Sequence, residues 1–95
     1  MKRIYISGPM TGLPEFNIPA FAAKAAELRA LGHHVTNPAE NGLHAGASWS
    51  EHMRADIRDM MDCDTLHLLP GWRASKGARL EVKIAAALGF SIEAP

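Results

Sequence analysis

The chain predicts a three-layer α/β domain, a parallel sheet of about four strands with helices on both faces. Three observations carry this. Short β-rich runs alternate with helical stretches in the order β-α-β-α-β-α-β, which implies a parallel sheet covered on both sides. The third run, Thr65-Leu66-His67-Leu68-Leu69, is nearly continuous apolar, as a strand buried on both faces requires. The chain has 95 residues, 47% of them hydrophobic, which makes one packed domain over residues 1–95 with no room for a second core.

Each element has a local reason. Arg3–Ser7 is a β-rich run broken by Gly8-Pro9. Gly8–Ile18 is a loop, with Gly8, Pro9, Gly12 and Pro14 in quick succession. Pro19 suits the first turn of a helix with Asn17 as its cap, and the Ala-, Glu-, Lys- and Leu-rich stretch Pro19–Leu31 stops at Gly32. His33–Thr36 is a short strand ended by Asn37-Pro38, and Ala39–Ser48 has no periodicity and reads as loop. Trp49–Asp62 is a helix capped by Ser48 or Ser50, with Trp49, Met53, Ile57 and Met60 along one face. Asp64–Leu69 is the third strand and Pro70–Lys76 a loop. Gly77–Leu88 is the last helix, with Ala78, Val82, Ala85 and Leu88 as its inward stripe, and Phe90–Ile92 is the final strand. The order suits a flavodoxin/Rossmann-like sheet, in which ligands bind beyond the carboxyl ends of the strands. The loops gathered there are Gly8–Ile18, Asn37–Ser48 and Pro70–Lys76.

Composition narrows the function classes. Ten basic and ten acidic residues give a formal charge of zero, which argues against binding a nucleic-acid polymer through its phosphates. The longest apolar stretches fall far short of a membrane span, and Met1-Lys2-Arg3 leads into a strand rather than a secretory signal. Cys63 is the single cysteine, so no intrachain disulfide forms and a cytoplasmic location is expected. A domain this short is expected to form a homodimer or larger homo-oligomer, packed through Trp49–Asp62.

Two carboxylates stand where apolar side chains belong. Asp56 falls between Met53 and Met60 on the inward face of its helix, and Glu81 lies one turn from both Ala78 and Ala85. An ionised carboxylate on a buried stripe is costly unless it is paired, hydrogen-bonded or opens into a cleft. Around them, Ser7-Gly8-Pro9-Met10-Thr11-Gly12 offers backbone N–H groups and hydroxyls at the end of the first strand. It has neither a dinucleotide fingerprint nor a Walker lysine loop. Ser75-Lys76-Gly77-Ala78-Arg79 opens the last helix with a hydroxyl, a glycine and two cations, an arrangement suited to a phosphate.

Other motifs point less far. His33, His34, His44, His52 and His67 have no spacing that sets two metal ligands on one helical face, so no metal is expected, and His67 reads as a core histidine. Trp49 and Trp72 suit either base stacking or packing. Cys63 has no neighbour that would activate it.

Tyr5 to Gly12, Asp56, Asp64 and the Ser75-x-Gly-x-x-x-Glu81 motif, in that order, resemble the nucleoside 2-deoxyribosyltransferase superfamily, which includes the deoxynucleoside 5′-monophosphate N-glycosidases. Tyr-Ile-Ser-Gly-Pro-Met-Thr-Gly at the start, Asn37-Pro38-Ala39-Glu40 and Cys63-Asp64 are closer still to a compact phage- and prophage-associated family with that fold. The resemblance covers nearly the whole chain. It implies Glu81 as the nucleophile at the anomeric carbon, Asp56 as a second essential carboxylate, Tyr5 as an active-site tyrosine and Ser75 as a phosphate contact. It implies no cofactor. The monophosphate glycosidases carry a basic residue where this chain has Thr11.

The reading is an enzyme that cleaves the N-glycosidic bond of a nucleoside or nucleotide, with Glu81, Asp56 and Tyr5 catalytic. Ser7, Gly8, Pro9, Met10, Thr11, Gly12, Ser75, Lys76 and Gly77 would bind substrate. The alternatives are a non-catalytic nucleotide-binding module and an oligomeric interaction domain of phage origin.

Overall fold

A computed structural model describes residues 1–42 and 46–95. Leu43, His44 and Ala45, part of the loop expected over Ala39–Ser48, lie outside the described residues. Four strands, β1 (Arg3–Ser7), β2 (His34–Thr36), β3 (Thr65–Leu68) and β4 (Ser91–Glu93), alternate with three helices, α1 (Ile18–Ala30), α2 (Trp49–Met60) and α3 (Lys76–Ala87). The sheet runs β2-β1-β3-β4 with every pair parallel. This is the small α/β architecture the alternation predicted, with observed ends within a residue or two of the predicted ones.

The pleat of β1 divides the core. Ile4 and Ile6 point to one face and pack with Phe21, Ala25 and Leu28 of α1, together with Val35 and Leu69. Tyr5 points to the other face, where it packs with Met60 of α2, Leu66 and Leu68 of β3, and Ala85 of α3. One helix therefore covers one side and two cover the other. Ser7 shares the face of Tyr5 because side chains on a strand alternate with a period of two.

Caps fix where the lower helices begin. Ser48 and Glu51 form a reciprocal capping box at α2: the Glu51 amide donates to Ser48 Oγ at 3.1 Å, and the Ser48 amide to Glu51 Oε1 at 3.0 Å. At α3 the Ala78 amide donates to Ser75 Oγ at 3.1 Å. Ser48, rather than Ser50, is thus the cap of α2.

The approach to α1 departs from expectation. Glu15, Phe16 and Asn17 are all left-handed, with φ of 53°, 53° and 60°. For a non-glycine residue that conformation costs about 1–2 kcal/mol, least for asparagine. Asn17 makes no side-chain cap; its Nδ2 donates instead to the Pro9 carbonyl at 2.9 Å, tying the turn to the loop after β1. One apolar residue expected inside is outside: Leu88 lies past the last turn of α3, while Trp49, the first residue of α2, is 43% exposed, as a surface residue of that helix should be.

Candidate active site

Sheet order places the site. From β1 the chain crosses one way to β2, and from β3 the other way to β4, so the connections diverge at the carboxyl ends of β1 and β3. A crevice opens at such a switch point. A cleft of about 970 Å3 lies there. Its floor is Tyr5, Ser7 and Glu81, with the loop after β1 on one side and the start of α3 on another. α2 closes it with Trp49, His52, Met53 and Asp56.

Glu81 sits at the bottom, 5% exposed. The Ser7 hydroxyl donates to its Oε1 at 2.6 Å and the Tyr5 hydroxyl to its Oε2 at 3.0 Å. Both bonds favour the ionised carboxylate, which only accepts. Burial opposes them and wins, with the charge of Asp56 adding to it, so Glu81 is pushed up to about 7. Tyr5 is raised well above the usual phenol range, first by burial and then by the charges of Glu81 and Asp56, and so stays a neutral donor.

Asp56 is half-buried on the cleft wall, and Asn41 Nδ2 donates to its Oδ1 at 3.1 Å. Burial raises it to about 6, against the pull of the Asn41 hydrogen bond and of His52 one turn earlier on α2. Two carboxyl groups that titrate near neutrality thus face one cleft, where such shifts are typical of acid–base and nucleophilic work.

The remaining predicted residues fall as follows. Ser7, Gly8, Pro9, Met10, Thr11, Ser75, Lys76 and Gly77 all line the cleft, whereas Gly12, a turn residue at φ +84°, does not. Gly8 and Gly77 are there for close packing: a Cβ on Gly8 would lie 2.8 Å from Leu69 Cβ, and one on Gly77 3.0 Å from Met53 Sδ. The Ser75 hydroxyl is engaged as a helix cap. Lys76 Nζ lies over the Trp49 ring, 4.1 Å from its centre, and Arg79 is drawn off to the Arg73 carbonyl at 3.0 Å. Asp64, part of the motif, is at the opposite end of the sheet, where its Oδ1 accepts from the Arg3 amide and the Thr65 hydroxyl.

Sequence reasoning missed Asn41 and the His52 contribution. The i, i+4 spacing of His52 and Asp56 was a usable signal; nothing local marked Asn41. Cys63 is buried with its thiol pushed up by desolvation, which leaves it unreactive. His67 is largely buried and shares a hydrogen bond with Glu93 at 2.9 Å. Among the described residues no cluster of three or more His, Cys, Asp or Glu is placed to hold a metal, and no helix is long and apolar enough to cross a membrane.

Fold and site together define a small flavodoxin-ordered α/β domain with a cleft built around two carboxyl groups. The chain belongs to the family described as Domain of unknown function (DUF4406), whose model matches residues 2–94. No curated protein matches it.

Proposed function

We propose that the protein cleaves the N-glycosidic bond of a nucleoside or nucleotide, with Glu81 as nucleophile and Asp56 as the proton-transferring acid. One observation carries this: a carboxylate at the floor of the cleft has both oxygens fixed by hydroxyl donors, with a second carboxyl group that holds its proton up to about pH 6 facing the same space. Glycoside hydrolysis uses such a pair. In the first half, in the fraction of molecules with Glu81 ionised and Asp56 protonated, a Glu81 oxygen bonds to the anomeric carbon as the C–N bond breaks. Its electron pair leaves with the base, whose nitrogen takes the proton of Asp56. In the second half, water attacks the same carbon and gives its proton to Asp56, while the sugar–Glu81 bond breaks and restores the carboxylate. A second base in place of water would make the reaction a transfer.

Tyr5 and Ser7 hold the nucleophile in register and contribute no proton of their own. The loop after β1 and the start of α3 bind the sugar side of the substrate. Self-association into a homodimer or larger belongs to the same proposal. It is supported by exposed Trp49 and Met61 on and beside α2, and sedimentation as a monomer at micromolar concentration would count against it.

The deciding experiment incubates the protein with nucleosides and 5′-monophosphates, ribo and deoxy, and detects free base by chromatography. Glu81→Ala is expected to abolish turnover by several orders of magnitude while leaving the fold intact. Ligands that raise the melting temperature without base release would favour the binding module instead. Neither effect across the panel would leave the interaction domain.

A further inference from the structure

We propose that the substrate is an uncharged nucleoside rather than its 5′-phosphorylated form, an inference that rests on the glycosidase reading above. The disposition of charge around the cleft carries it. Among the described lining residues the carboxyl groups are Asp56 and Glu81, and the basic side chains are His52 and Lys76. Lys76 is laid on the Trp49 ring, and Arg79, one turn along α3, is turned out of the cleft onto the Arg73 carbonyl. Arg73 in turn stacks on Trp72, its guanidinium 4.8 Å from the ring centre. The cations nearest the start of α3 are therefore engaged with aromatic rings or backbone. Thr11, on the facing loop, brings a hydroxyl and no charge.

What the approach to α1 and its first residue present is apolar. Leu13, Phe16 and Ile18 line the cleft, and all three are exposed, Phe16 at 55%. Phe16 is held there by the left-handed run Glu15–Asn17 and the Asn17–Pro9 tether. A phosphate brought into this space meets the charge of whichever of Asp56 and Glu81 is ionised and an apolar rim, with the lining's lysine already held on the Trp49 ring. Like charges placed together across a binding surface cost enough to set specificity. A nucleoside meets neither penalty: its hydroxyls donate to carboxylates, and its flat base covers apolar side chains.

The test compares kcat/KM for each nucleoside and its own 5′-monophosphate at pH 6.5 and fixed ionic strength, in wild type and in Thr11→Arg. The nucleoside is expected to be favoured by about tenfold or more, within the reach of one like-charge juxtaposition. Thr11→Arg, which adds a cation to the facing loop, should narrow that gap by raising monophosphate turnover. Equal or better use of the monophosphate by wild type overturns the inference and leaves the glycosidase reading standing. A gap unchanged by Thr11→Arg overturns its electrostatic basis. Absence of base release and of any thermal shift with every compound removes both together.

Discussion

Replacing Glu81 with glutamine removes a charge the fold holds at a cost, and the cost follows from burial. The carboxyl group moves from an ordinary value of 4.5 to about 7 in the folded protein. Each unit corresponds to 1.36 kcal/mol, so the ionised form destabilises the fold by about 3 kcal/mol relative to the unfolded chain. The folded state holds this proton more tightly than the unfolded state. The penalty is therefore absent below about pH 4.5, grows through the window up to about 7, and is complete above it. Glu81→Gln keeps the shape and an oxygen that accepts from Ser7 or Tyr5, yet never ionises. At pH 8 the variant should melt roughly 10–20 °C above wild type, since 1 kcal/mol is worth about 4–8 °C in a domain of this size. At pH 4.5 the two should melt within a few degrees. Thermal melts across pH 4.5–8 read this directly. Parallel curves for the two proteins, at whatever separation, would refute the claim that Glu81 is held against ionisation.

Asp56→Asn should lower kcat about 10²- to 10⁴-fold with the fold retained, and flatten the limb of the pH–rate profile governed by the group near 6; a full-rate variant would remove Asp56 from the mechanism. Ser7→Ala deletes a donor that holds the Glu81 value down, so it should shift the rise in kcat/KM to higher pH, making its activity deficit smaller at pH 8.5 than at pH 7. Gly8→Ala sets a Cβ 2.8 Å from Leu69 Cβ and should cost about 1–3 kcal/mol by chemical denaturation. Glu15→Gly relieves a left-handed residue at φ 53°, so it should melt at or above wild type, against the loss glycine ordinarily causes.

The alternating pattern reached the fold because parallel sheets leave few other ways to bury the same runs. It reached Asp56 and Glu81 because helical spacing sets them among apolar neighbours, and an exception to a periodic pattern is visible without coordinates. Leu88 was misplaced for a related reason. Spacing names a face but not how far along the helix that face stays covered, and Leu88 lies beyond an end. Asn17 fits a cap by type, but the chain arrives left-handed, which composition does not encode. Asn41 reaches Asp56 from a distant loop, a contact set by tertiary structure alone. Cations next to a helix start suggested a phosphate; the ring beneath Lys76 comes from another helix, whose proximity no local motif reveals, while Arg79 turns back to the Arg73 carbonyl just before its own helix.

Tyr5 belongs to two communities at once. Its ring is packed among Met60, Leu66, Leu68 and Ala85, and its hydroxyl terminates on Glu81. Any repacking that tilts the ring also moves a donor on the carboxylate, so mutations in this half of the interior should show up as altered acidity before they show up as unfolding. In the opposite half Phe21 and Ile6 reach the cleft wall, but among the described residues no side chain there bonds to Glu81. Tolerance to aliphatic exchange should therefore differ between the two sides of a single sheet, and functional selection would record that asymmetry even where stability does not.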